Sequence, residues 1–249
     1  MGIVVLGPHE WPALLRAGRV AAATLRAVAQ ALRPGMTTAE IDLLVRRDTL
    51  ARGASPSQLG YQGFPAAVCT SRNSVVCHGI PSPGDVLEPG DIVNVDVTSC
   101  LEGFHGDTSA TFFIGTPSPE ARHVVETARR CRDAGIAEVR EGARLGDIGA
   151  VIEELAGAAG CSVVRELGGH GIGRQMHMPP HVSHHGRRHT GLRLKAGMAF
   201  TIEPMINLGA REVRVLDDGW TVVTSDGSLS AQFEHTVLVT RDGCVVPTA

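Results

Sequence analysis

The apolar positions along this chain change period, and then repeat the change. From Trp11 to Leu32 they recur at helical spacing, and the pattern stops at Arg33-Pro34-Gly35, a helix end followed by a turn. Thr37 reads as the cap of a second helix, with Glu40 in the capping-box position and Ile41, Leu44 and Val45 as its apolar stripe. From Val75 to Gly115 the residues alternate as strands do. The cycle then recurs. Glu120 to Val139 is helical, Arg140-Glu141-Gly142 stops it, Leu145 to Ala159 forms another helix, and Met198 to Val246 is again β-patterned. RPGMTTAEID and REGARLGDIG align at an offset of about 107 residues. Two αα-then-β halves sharing one sheet surface are therefore predicted, an α+β class. No low-complexity linker divides them, so residues 1–249 are expected to form a single domain.

One hairpin in the first half poses a charge problem. In NVDVTSCLEGFHGD (94–107) the first strand sets Asn94, Asp96 and Thr98 on one face and Val93, Val95 and Val97 on the other. The returning strand groups His105, Asp107, Ser109 and Thr111. A turn centred between Leu101 and Glu102 would set Asp96 opposite Asp107, where like charges destabilise. Three arrangements relieve such a pair: one carboxyl stays protonated, both reach solvent, or a cation sits between them.

Further acids interrupt apolar strands. Glu203 breaks GMAFTIEPMIN, and Glu234 lies in LSAQFEHTVLVT. His170 sits in GGHGIG, whose glycines let backbone approach a ligand closely. Four buried carboxylates with one imidazole could ligate two divalent cations, with Asp107 and Glu234 bridging, and such a donor set favours Mn, Fe, Co or Zn. Spacing alone does not select these five from 26 acids and 11 histidines.

Composition narrows the class. The chain has 249 residues, 43% of them hydrophobic, enough for a sizeable core, and a net charge of -3 gives no sign of a nucleic-acid surface. The apolar run Ile3–Leu6 is too short for a signal peptide or a membrane helix, so a soluble cytoplasmic protein is expected. Six cysteines without a CxxC pair read as reduced thiols.

Five blocks carry a family resemblance: NSVVCHGIP (73–81), GDIVNVDVTSCLEGFHGDTS (90–109), GGHGIGRQMH (168–177), GMAFTIEPMIN (197–207) and LSAQFEHT (229–236). Together they resemble the type I methionine aminopeptidases, metallopeptidases of the pita-bread fold. GGHGIG alone would also fit proline-specific relatives. The resemblance implies two pseudo-symmetric halves around a curved antiparallel sheet, forming one catalytic domain. It implies metal ligands at Asp96, Asp107, His170, Glu203 and Glu234, and two divalent ions per chain.

By the same matching, His78 would contact substrate near the scissile amide. His177 would hydrogen-bond the scissile carbonyl oxygen, and Glu203 would move protons as general base and acid. Tyr61, Phe64, Cys69, Met176 and Trp220 would line the methionine slot. Asn73, Val75 and Ser230 match a weak monovalent-cation site. The implied activity is removal of the initiator methionine from nascent chains when the second residue is small and uncharged, by a dinuclear metal-activated water. The implied enzyme is a monomer that meets polypeptide N-termini, with the ribosome as a candidate place of encounter. The rivals are a proline-specific aminopeptidase or dipeptidase and a binding protein that has lost catalysis. In the run HMPPHVSHHGRRH (177–189) only His177 matches a functional position, and the remaining histidines read as a surface loop.

Overall fold

A computed structural model of the protein describes residues 2–249. Its first half runs α1 (Trp11–Ala31), α2 (Thr38–Ala51), β1 (Ser55–Pro56), β2 (Cys69–Arg72), β3 (Val75–Cys77), β4 (Ile92–Leu101) and β5 (Phe104–Phe113). The second runs α3 (Pro119–Ala137), α4 (Leu145–Ala158), β6 (Ser162–Val163), β7 (Gly169–Gly171), β8 (Met178–Val182), β9 (Ala199–Ile202) and β10 (Met205–Asn207). It ends with β11 (Val213–Val215), β12 (Val222–Thr224), β13 (Ser230–Gln232), β14 (Glu234–Val239) and β15 (Cys244–Val245).

The faint internal repeat is physical. Glu40 accepts from the N–H of Thr37 at 2.7 Å to open α2, and Asp147 accepts from the N–H of Arg144 at 2.8 Å to open α4. Each satisfies a donor that a helix start would otherwise leave unpaired. The turn before each helix is tied to a later segment at the corresponding position of its own half. Gly35 donates to the carbonyl of Leu87 at 2.8 Å and Leu87 donates back to Met36 at 2.8 Å. One offset of about 107 further on, Gly142 donates to Leu194 at 3.0 Å and Leu194 to Ala143 at 2.8 Å. Even the isolated bridges Thr37–Val86 and Arg144–Arg193 correspond.

The halves meet in one antiparallel sheet of nine strands, in the order β1-β4-β5-β14-β9-β7-β8, with β2 also on β4 and β15 also on β14. The junction is β5 against β14, where Ser109 pairs with Glu234. Each helix pair covers its own part of one sheet face. Val93, Val95 and Val97 pack with Leu25, Val28, Ile41 and Val45, while Phe200, Val237 and Val239 pack with Val124, Ile148 and Ile152. Strand alternation then sends Asp96, Asp107 and Glu234 to the opposite face.

The hairpin register differs from the expected one. Glu102 and Gly103 both take positive φ, 52° and 76°, and form the two-residue turn that matches strand twist. Leu101 therefore pairs with Phe104, Thr98 with Asp107 and Asp96 with Ser109. A shift of two residues preserves the face but makes the two aspartates diagonal neighbours instead of directly opposed partners. The two long strands expected in the second half are each broken. Glu203-Pro204 separates β9 from β10, Phe233 separates β13 from β14, and β10 and β13 pair in a second, three-stranded sheet. The strands β7 and β8 lie before the β-patterned region and fill one end of the large sheet.

Helix α1 approaches β5 through glycine. A Cβ on Gly106 would stand 2.4 Å from the Cα of Gly18, a backbone clash that no rotamer change relieves. Gly106→Ala is expected to destabilise the protein by about 1–3 kcal/mol, the usual range for overpacking. Urea unfolding measures this, and an unchanged midpoint would mean that α1 moves away from the sheet without cost.

Candidate metal centre

The polar face of the sheet lines a cavity of about 610 Å³, a size typical of small-ligand sites. Asp96 reaches it from β4, Asp107 from β5, His170 from β7, Glu203 from the end of β9 and Glu234 from the start of β14. Ligand atoms of Asp107, His170 and Glu234 all lie within 4.8 Å of one another. Nε2 of His170 stands 3.7 Å from Oδ2 of Asp107 and 3.5 Å from Oε1 of Glu203. Two of the carboxylates are braced by neighbours. Thr98 donates its hydroxyl to Asp107 at 2.7 Å, Thr201 donates to Glu203 at 2.6 Å, and the Gln232 amide donates to Glu203 at 3.1 Å.

Burial dominates the electrostatics. It pushes the Asp107 carboxyl up to about 6 and that of Glu203 up to about 8. Asp96 and Glu234 are driven well above the carboxylate range, first by burial and then by the charge of Asp107. Burial also lowers His170 to about 3, and desolvation at the cavity wall lowers the more exposed His177 to about 4, so both rings are neutral near pH 7. The approaches of His170 to Asp107 and Glu203 are therefore not ion pairs. A neutral imidazole among crowded carboxylates is a donor set awaiting a cation.

The remaining candidates border the same cavity. His78, Tyr61, Phe64, Cys69, Met176, His177 and Trp220 all line it. Phe64 meets Trp220 edge-on at 5.1 Å between ring centres, Tyr61 and His177 lie 5.1 Å apart, and His177 and His170 lie 4.0 Å apart. His78 takes a positive φ of 56°, a conformation that is costly for a residue with a Cβ and is typical of constrained sites. Asn73, Val75 and Ser230 fall outside the cavity, where Ser230 donates its N–H to the Asn73 carbonyl at 2.9 Å.

Sequence and fold both match known proteins. The metallopeptidase family M24 matches residues 13–241. The chain is 50% identical over 246 residues to methionine aminopeptidase A of Synechocystis sp., covering 99% of this chain and 97% of the relative. The chain belongs to the M24 metallopeptidases, among the methionine aminopeptidases. It is also 44% identical to the methionine aminopeptidase of Escherichia coli K12, covering all of this chain and 94% of that one. The crystal structure of methionine aminopeptidase from Rickettsia prowazekii superposes with a TM-score of 0.98 at 43% identity, with both chains fully covered. Prolidase from Pyrococcus furiosus, at 20% identity, a TM-score of 0.79 and 65% of its length covered, shares the pita-bread fold.

The residues present fit the divalent metal that a metallopeptidase of this family uses. Oδ1 of Asp96 and Oε1 of Glu234 are buried without a hydrogen-bond partner among the described residues. Oxygen atoms in that condition cost free energy unless something positive meets them. The sequence reading missed a supporting residue. His184, expected on a surface loop, is fully buried, and its Nε2 accepts from the backbone N–H of Glu203 at 3.1 Å. Its signal was hidden because the partner is a main-chain group. All six cysteines are free thiols, and no helix among the described residues is long and apolar enough to cross a membrane.

The raised carboxyl values set a pH dependence for the metal-free protein. Glu203 holds its proton in the folded chain up to about 8 but ionises near its ordinary 4.5 when unfolded, so folding takes up a proton in between. Stability must then fall as pH rises through that window, on the order of 1 kcal/mol per pH unit for each such carboxyl. His170 and His177 act oppositely, and only below their ordinary 6.5. Between about pH 6.5 and 8, the melting temperature of chelator-treated protein should drop. Added Mn²⁺ should raise it more at the upper end. Calorimetry with and without the ion checks both, and a flat metal-free profile would remove the protonated cluster.

Proposed function

We propose that this enzyme removes the initiator methionine from nascent proteins and peptides whose second residue is small and uncharged. The observation that carries this reading is the mixed lining of one cavity. Asp96, Asp107, His170, Glu203 and Glu234 border it together with the apolar Phe64, Met176 and Trp220, and Phe64 meets Trp220 edge-on. Those apolar side chains suit an unbranched thioether, and Phe64 and Met176 are both buried.

Two divalent ions, of Mn, Fe, Co or Zn, would be held by these five polar residues. When bound, they would polarise the scissile carbonyl and make water acidic enough to act as nucleophile near neutral pH. The chain's own groups do the rest. His177, neutral near pH 7, donates a ring N–H to the carbonyl oxygen as charge develops on it. Glu203 takes a proton from water on its carboxylate and returns it to the leaving nitrogen. His78 contacts the substrate beside that nitrogen. The second side chain of the substrate lies against the rim of the cluster, where bulk would displace the carbonyl. A misplacement of about 1 Å can cost on the order of a hundredfold in rate.

The same reading makes residues 1–249 one catalytic domain, acting as a cytoplasmic monomer on emerging N-termini, at the ribosome or after release. A weak monovalent cation would sit near Asn73, Val75 and Ser230. The Ser230 hydroxyl, buried without a partner among the described residues, supports that assignment.

Peptides varied only at the second position test the substrate. Met-Ala-Ser should be cleaved with a kcat/KM at least about a hundredfold above that of Met-Leu-Ser. Equal values would refute the initiator-methionine role even with the metal chemistry intact. His177→Ala should lower kcat by about 10²–10³-fold while metal content stays at the wild-type level. Loss of metal in that variant would make His177 a ligand and overturn its assigned role.

A further inference from the structure

His184 lies just beyond β8, between exposed His181 and exposed His189, yet it has no accessible surface itself. It does not line the cavity. Among the described residues its one hydrogen bond is the one from Glu203, N–H to Nε2, at 3.1 Å, and its Nδ1 is buried without a partner. A backbone N–H can only donate, so Nε2 is the accepting nitrogen and the ring proton resides on Nδ1.

The reason for this contact lies in the strand break. In β9 the last residue paired with β14 is Ile202, opposite His235, and Pro204 follows Glu203 before β10 begins. The Glu203 N–H therefore falls where the ladder has ended. Left unpaired in the interior, such a donor costs about 1–3 kcal/mol. An imidazole from a different segment supplies the acceptor. Glu203 is thus fixed at both ends, with its main chain on His184 and its carboxylate on Thr201 and Gln232.

We propose that His184 is a positioning residue for Glu203: it pins the backbone at the Glu203-Pro204 break and so keeps the carboxylate aimed beside His170. This rests on the reading of Glu203 as metal ligand and proton carrier. His184 touches neither the substrate nor the reacting atoms, so its effect passes through Glu203. Outer-layer partners of metal ligands typically change metal affinity or activity by about 10–100-fold when removed.

The decisive comparison is between His184→Phe, which keeps a ring but has no acceptor, and His184→Gln, whose amide oxygen can reach the place of Nε2. Mn²⁺ affinity is measured by isothermal titration, and kcat and KM on Met-Ala-Ser are measured after reconstitution with Mn²⁺. For His184→Phe the expected result is Mn²⁺ binding weakened by about 10–100-fold and a comparable fall in kcat, with KM nearly unchanged. His184→Gln should recover most of both. Wild-type affinity and kcat in His184→Phe, with only a lower melting temperature, would make His184 a packing residue and overturn the proposal. Should His184→Phe fail to fold, His184→Asn replaces it, because its shorter amide ends near the place of Nδ1. A defect in Asn but not Gln supports the proposal, and equal behaviour overturns it. Wild-type protein inert toward Met-Ala-Ser would sink the proposed substrate alone, and the Mn²⁺ affinities of the variants would still judge His184.

Discussion

Four carboxyl groups packed into one desolvated space are the constraint around which this protein is organised. Asp96, Asp107, Glu203 and Glu234 are all pushed upward by burial, and charge on any one of them penalises its neighbours. A fold can tolerate such a cluster only if it is rigid enough to prevent the side chains from swinging apart toward water. The valine face of β4 and the helices behind it supply that rigidity, since close-packed interiors deform little. The hydroxyls of Thr98 and Thr201 and the amide of Gln232 then hold individual oxygen atoms. The apolar core and the polar cluster are two faces of one sheet, and neither can be understood without the other.

Much of this was legible in the sequence, for reasons that can be named. The cap at Thr37 and Glu40 is local chemistry within one helical turn, and it forms as read. The faces of the hairpin were also readable, because strand alternation survives any even shift in register. The register itself was not, since it depends on the positive φ adopted by Glu102, a residue type that gives no hint of it. The strands β7 and β8 stayed hidden because glycine, proline and histidine dominate them and carry no alternating apolar signal. The breaks after Ile202 and before Glu234 are tertiary events, in which a chain passes from one sheet to another.

The site divides along the same line. Its acids could be suspected from their apolar neighbours, but their choice among 26 acidic residues came from matching whole blocks to a family. His184 shows what such matching leaves out. It sits in a histidine-rich run whose other members reach the surface, and only the three-dimensional contact with a main-chain N–H separates it from them.

The duplicated architecture has a consequence for the order in which the molecule can become itself. Asp96 and Asp107 belong to the first half, and His170, Glu203 and Glu234 to the second. Neither half contains the cluster, and its final member is residue 234 of 249. Contacts this distant along the chain form late, because the intervening loop must be closed before they give anything back. A first half emerging during synthesis can bury its valines beneath its own helices while its two aspartates still face solvent. The costly desolvation of four crowded carboxyl groups is thereby postponed until β14 docks on β5, when the scaffold that contains them is already in place.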